Sequence, residues 1–281
     1  MRLGDEPESS NFEDRTGQPG GFGGGNMLGC LVPLVWSRFG IGGVVVLLLG
    51  YCALTQFGSG GILPSGPTTS APSGQASDRS TLDPNTREFM TRVLGSTEQT
   101  WSAIFARNGQ RYTPTTMVAY TSGTDTGCGF GEAQMGPFYC PNDKKIYIDP
   151  AFFNELSQRF GASGDFARAY VIAHEVGHHV QDLEGTLGQA EQLQARAGKT
   201  EGNAIQVKIE LQADCYAGVW AANARDAQGS ILEPGDAEEG MRAAEAIGDD
   251  TLQRQSQGVV VPDSFTHGTS AQRVAALRTG L

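Results

Sequence analysis

Basic residues are scarce in this chain and never clustered: 20 Lys and Arg stand against 31 Asp and Glu over 281 residues. A nucleic-acid surface needs Lys and Arg gathered on one face, so the formal net charge of −11 argues against that class of partner. Internal repeats are absent. Histidine is rarer still, with only 4 in the chain, yet three of them fall within six positions of VIAHEVGHHVQDLE, residues 171–184. What is plentiful is apolar material. At 39% hydrophobic, with 13 Phe, 7 Tyr and 3 Trp, the chain can bury a sizeable core and is not of disordered composition.

From Phe39 to Phe57, FGIGGVVVLLLGYCALTQF carries no charge over nineteen residues. At about 1.5 Å per helical residue that length crosses a hydrocarbon layer of roughly 30 Å, and the run is expected to be a transmembrane helix. A buried core helix is the alternative, but between two polar tracts it has nothing to pack on. Arg2, Arg15 and Arg38 precede the run and no Lys or Arg comes after it until Arg79, which places the N-terminus in the cytoplasm and the chain beyond the run outside it. A cleaved signal peptide fits poorly with so late an apolar start. LLGYC, ending at Cys52, weakly resembles a lipoprotein box, but Tyr51 is too large for one. The reading is therefore an uncleaved anchor in the cell membrane.

The expected organisation is a polar, Gly-rich cytoplasmic segment over 1–38, disordered over 1–26, then the span at 39–57. A Gly/Ser/Pro linker covers 58–80, and a folded domain covers 81–281. Asp83-Pro84 signals a helix start, with the helix running to about Ala106. TTMVAYTS (115–122) and KIYID (145–149) read as strands, with a loop between them. Helices are expected over about 151–160, 165–183, 186–197, 203–225, 235–248 and 269–278. That order is α+β, a small sheet followed by a helical body. Cys128 and Cys140 bracket the loop between the strands. A disulfide there is permitted outside the cytoplasm, whereas a Cys-ligated zinc would need a second pair that the sequence lacks. Cys215 lies in an apolar helical stretch and reads as a small buried residue.

His174 and His178 are four residues apart, hence on one helix face at the spacing that lets two imidazoles share one zinc ion. Glu175 stands about 100° round from His174, able to reach a water on the metal without being a ligand. The bland reading is a pair of satisfied core histidines, so the third ligand decides. Rotation excludes His179. Glu184 has metzincin spacing, but Gln181 occupies the place of the turning glycine. Glu210 in IELQADCYAGVWA is the better candidate, with Asp214 on the same face. Two acids among Ile205, Val207, Ile209, Leu211 and Trp220 need a positive partner. Zinc on His174, His178 and Glu210 supplies it, and Asp214 would accept the free ring N–H of a ligand histidine.

HEVGH followed some thirty residues later by ELQAD resembles the HExxH plus ExxxD arrangement of gluzincin metallopeptidases. More narrowly, the chain resembles the membrane-anchored bacterial family of neutral zinc metallopeptidases. The stretches that carry this are SSNFEDRTG, CGFGEAQMGPFYCPNDKKIYID, AYVIAHEVGHHVQ, IELQADCYAGVWA, AIGDD and PDSFTHGTSAQR. The resemblance implies a zincin-like fold, zinc on His174, His178 and Glu210, a catalytic Glu175, and a peptide or protein substrate. It implies a substrate extended along an edge strand, for which MVAYT and KIYID are the candidates. A similar Thr-His…Arg stretch in membrane gluzincins draws attention to His267 and Arg273: one of them stabilises an oxyanion, or both merely hold the C-terminus. The alternative to an enzyme is a zinc-stabilised, membrane-tethered interaction module without turnover. Glu175 counts against it, because a structural site has no use for that acid.

Overall fold

The computed structural model of the chain describes residues 1–18 and 80–281. The apolar run 39–57 and most of the 58–80 linker lie outside the described residues, among which no helix is long and apolar enough to cross a membrane. Strands β1 (Phe12–Asp14), β2 (Thr116–Ala119), β5 (Phe138–Cys140) and β6 (Lys145–Ile148) form a sheet in the order β1-β2-β6-β5. A separate hairpin joins β3 (Gly123–Thr126) and β4 (Gly129–Glu132). The helices are α1 (Pro84–Arg107), α2 (Ala151–Gln158), α3 (Asp165–Glu184), α4 (Thr186–Gln194), α5 (Lys199–Asn223), α6 (Asp236–Ala246), α7 (Asp249–Gln257) and α8 (Ser270–Gly280). The class is α+β, as expected.

α1 starts where the cap signal places it: the Asp83 carboxylate accepts from the Thr86 N–H at 2.9 Å, with Pro84 in the first turn. α3 is buried nearly all round, from Phe166 to Gln181, which makes it the central helix of the body. It stops at Gly185, whose φ of 79° is the left-handed cap that side chains disfavour. In the sheet, alternate residues face opposite ways. Met117, Ala119, Ile146 and Ile148 join the main core, while Val118 and Tyr147 pack with Tyr120, Cys140 and Phe138 on the other face. α5 brings Trp220 against Phe166 of α3, the rings stacked 6.1 Å apart.

Three expectations are corrected. First, residues 1–18 are not a disordered piece apart from the domain, which therefore does not begin near residue 81. β1 pairs parallel with β2, Phe12 opposite Met117, and Glu6, Ser9 and Thr16 are buried. Second, the stretch between the two expected strands is not a plain loop. β2 and β6 run parallel, and the connection holds the β3–β4 hairpin and β5, which pairs antiparallel with β6. The Cys128–Cys140 disulfide is present, and it ties the turn of that hairpin to β5. Third, α7 occupies 249–257, where no helix was expected.

Candidate metal centre

α3 and α5 cross with the two expected motifs facing one another. Gly177, between the histidines, makes this possible. A Cβ there would lie 3.0 Å from the Ala213 carbonyl oxygen and 3.1 Å from the Ala213 Cα on α5. At the crossing, His174, His178 and Glu210 each offer one ligand atom within 4.8 Å of the others. The Glu210 Oε2 lies 3.1 Å from the Nε2 of His174 and 3.5 Å from the Nε2 of His178. Tetrahedral zinc with bonds of about 2.0–2.1 Å separates its ligand atoms by roughly 3.3 Å. The donor types and both spacings fit that ion. Glu184, the other acid weighed from sequence, is exposed and accepts from the Tyr216 hydroxyl at 2.7 Å.

Each ligand side chain is held from behind. His174 Nδ1 faces Asp214 Oδ1 at 2.7 Å and His178 Nδ1 faces Gln181 Oε1 at 2.9 Å, so both rings turn Nε2 toward Glu210. Gln181 is itself fixed, donating to the Ile209 carbonyl and to Gln212 across the helix pair. Gln206 donates to Glu210 Oε1 at 2.8 Å, leaving Oε2 for an ion. Asp214 is fully buried between His174, the Tyr170 hydroxyl at 2.6 Å and the Arg273 guanidinium, which reaches both its oxygens at 2.8 and 2.9 Å. Burial would raise the Asp214 pKa, but Arg273 and His174 outweigh it and hold the carboxyl below its ordinary range. Burial would lower His174, yet Asp214 and then Glu210 lift it to about 10. Glu210 resists burial likewise and is held well below the usual range by His178 and His174. The acids at this crossing are therefore stabilised by positive charge, which a divalent cation held by His174, His178 and Glu210 would supply.

The site opens on a cleft of about 540 Å³ whose walls carry Phe138, Phe152, Phe160, Leu187, Ile209 and Leu252. Glu175, 6% exposed, is on this wall beside the histidines, and burial raises its pKa against the pull of His174 and His178.

The whole chain, residues 1–281, matches the family described as "Putative neutral zinc metallopeptidase". The chain belongs to that family. It is 45% identical to "Uncharacterized protein YpfJ" of Escherichia coli K12 over 283 residues, covering 100% of this chain and 94% of the relative. "Uncharacterized protein Rv2575" of Mycobacterium tuberculosis H37Rv and "Uncharacterized protein Mb2605" of Mycobacterium bovis are each 46% identical over 172 residues. Those two matches cover 58% of this chain and 57% of each relative. No solved structure gives a significant match.

Two readings made on the family's pattern change. Arg273 also lines the cleft, but it is 3% exposed and its guanidinium donates to Asp214, the Tyr170 hydroxyl and the Ile247 carbonyl. His267 does line the cleft, held by its Nδ1 at 3.3 Å from Asp249 Oδ1. Asp249 also accepts from the backbone N–H of Thr266, His267 and Gly268, fixing that loop. The edge strand, too, is neither MVAYT nor KIYID, because β2 and β6 both lie inside the sheet. Of the two strands at the sheet's edges, β1 and β5, it is β5 whose Phe138 and Tyr139 line the cleft. His179, excluded as a ligand by rotation, meets the Tyr139 hydroxyl at 3.1 Å and the Thr113 carbonyl at 2.7 Å, so it pins β5 to the metal helix. Gln181, Gln206, Tyr170 and Asp249 were missed from sequence. Only their spacing from the ligand residues along α3 and α5, at i±3 or i±4, could have signalled the first three.

Proposed function

We propose that this family member is a zinc-dependent peptidase that hydrolyses peptide bonds. One observation carries the reading: two imidazole nitrogens and a carboxylate oxygen converge at zinc-ligand spacing on the wall of an open cleft, with Glu175 beside them. His174, His178 and Glu210 would hold the ion. Zinc bound there supplies an attacking water acidified toward neutral pH and polarises the scissile carbonyl.

Glu175 takes the proton of that water and delivers it to the leaving amine. Among the described residues β5 has a sheet neighbour on one side only, so its other edge is offered to an extended peptide as an added strand. His267, with Nδ1 turned to Asp249, offers Nε2 to the negative oxygen that develops as the carbonyl is attacked. Asp214, Gln181 and Gln206 touch no substrate; they position the ligand side chains.

The rival is a zinc-stabilised interaction module without turnover. A structural zinc site closes its fourth position with a further protein ligand, whereas the ligand set here faces a cleft and has an acid beside it. Glu175→Gln is the test. The variant is expected to bind zinc with unchanged stoichiometry and to lose hydrolysis of a casein or mixed-peptide substrate by at least about 10²-fold. Undiminished hydrolysis with Gln at 175 would exclude the mechanism.

A further inference from the structure

α2 carries apolar residues on two faces, where a surface helix needs them on one. Phe153 and Leu156 are buried in the main core. Phe152, Glu155 and Arg159 recur at i, i+3 and i+7 on a second stripe, and all three line the cleft. Glu155 and Arg159 stand 4.0 Å apart and offset one another, so net charge does not mark this wall. Phe152 is the apolar member of an otherwise polar stripe. Phe160, just past the helix end, lines the cleft too, and both rings are only half-buried.

The chain leading into β5 supplies more of the same lining. Met135 is 65% exposed and lines the cleft. Gly136, at a φ of 75°, turns the chain there, and a Cβ on it would stand 3.8 Å from the Phe152 ring, so this turn and α2 meet at contact distance. Phe138 follows on β5. Its ring stacks on Tyr147 at 5.2 Å, and Gly131 of β4 lies so close behind it that a Cβ at 131 would come within 2.7 Å. The Cys128–Cys140 disulfide ties that hairpin to β5. Phe138 is thus fixed on the cleft wall before any ligand arrives. Three half-buried rings and one adaptable thioether gain further apolar burial only when an apolar group enters the cleft. We propose that Met135, Phe138, Phe152 and Phe160 form a side-chain subsite that selects peptides with a large apolar residue, Phe or Leu in size, in the stretch laid along β5. Phe152 is its specificity-determining residue. The subsite rests on the peptidase reading of the same cleft.

The test gives the zinc-loaded full chain a mixed-sequence peptide in which one position at a time holds Phe, Leu, Ala, Ser or Glu, with cleavage read by mass spectrometry. Phe or Leu at one position is expected to exceed Ser and Glu by at least about 10-fold in kcat/KM. Phe152→Ala and Met135→Gln are each expected to shrink that ratio several-fold with zinc stoichiometry unchanged. Should Phe152→Ala fail to fold, Met135→Gln, at an exposed position, decides instead. Hydrolysis without an apolar preference, or with one that the deciding variant leaves intact, overturns the subsite and leaves the peptidase reading standing. Binding of the same peptides to the zinc-loaded Glu175→Gln variant, followed by fluorescence anisotropy, separates the two readings. Tighter binding of the Phe and Leu peptides, weakened when Met135→Gln is added, supports the subsite even where the wild type cleaves nothing and the peptidase reading falls. Absence of both cleavage and apolar preference in binding overturns the two together.

Discussion

Gly177→Ala changes one hydrogen to a methyl group where α3 packs against Ala213 of α5, between the helices that carry the candidate ligands. The new carbon would stand 3.1 Å from the Ala213 Cα, where carbon atoms rest at about 3.5–4.0 Å. The shortfall is about 0.5 Å, and the atoms in the way are helix backbone that cannot rotate aside. Relief comes from separating α3 and α5 by a few tenths of an ångström. His174 and His178 ride on α3 and Glu210 on α5, whereas zinc sites keep their ligand distances within about 0.2 Å. The loss should resemble that of an outer partner of a ligand, about 10- to 100-fold in zinc affinity, or about 1.4–2.7 kcal/mol. Stability responds differently. Alanine gains up to about 1 kcal/mol over glycine inside a helix, offsetting part of an overpacking strain of about 1–3 kcal/mol. The expected signature is a Tm within a few degrees of wild type, measured zinc-free by circular dichroism, alongside weaker zinc in competition with a chromophoric chelator. Gly202→Ala is the control: on α5, with nothing near its Cβ, it should raise the Tm and leave zinc alone. A folded Gly177→Ala protein with wild-type zinc affinity would refute the account.

Arg273→Met leaves the buried Asp214 charge without its main partner. It should cost about 3–5 kcal/mol in urea denaturation and weaken zinc by about 10- to 100-fold; a loss under 1 kcal/mol would count against the clamp. Tyr139→Phe removes the hydroxyl that ties β5 to α3 through His179 at 3.1 Å and Asp182 at 2.8 Å, so KM should rise several-fold while zinc affinity holds, and an unchanged KM would deny β5 its role. In protein stripped by a chelator, His174 keeps its proton up to about pH 10 because Asp214 and Glu210 outweigh the opposing effect of burial. Zinc must displace that proton, so its affinity should fall about tenfold per pH unit from pH 8 to pH 6 for each proton released. Calorimetry in buffers of differing ionisation enthalpy counts the protons, and a count of zero contradicts the assignment. Reducing the Cys128–Cys140 disulfide, which closes a loop of 12 residues, should lower stability by about 2–4 kcal/mol, read as a drop in Tm with dithiothreitol.

That His174, His178 and Glu210 come together was legible because chemistry and periodicity coincide there. Two acids at i, i+4 on an apolar helix repel one another unless positive charge faces them; Arg273 faces Asp214, and HEVGH supplies imidazoles opposite both. The shell behind the ligands was not legible. Gln181 and Gln206 are ordinary helix residues whose worth depends on α3 and α5 crossing at Gly177, a tertiary fact. Arg273 illustrates the same limit from the other side. Its charge invited a role in the cleft, and only the burial of Asp214 shows that the guanidinium is already spoken for. α7 failed as a helix in the sequence because DDTLQRQSQ offers Leu252 and little else apolar. Its first residue, Asp249, is held by the His267 loop, so tertiary bonding secures an element that periodicity does not announce.

β1 was the least legible element, and it changes the most. FED is three residues long, polar at two of them, and its partner strand lies about a hundred positions away. Parallel pairing leaves no local turn signal, unlike a hairpin. Glycine-rich sequence after residue 18 coloured the reading of everything before it. The arginines gave no warning, since a charge ahead of an apolar run carries the same letter whether it stays in solvent or pairs with Asp226 in a folded body. Location separates the two uses: a topology signal is solvated, whereas Arg2 and Arg15 are each paired with an acid and only partly exposed. Positive charges flanking a candidate span therefore report orientation only after their ion-pair partners have been sought in the rest of the chain.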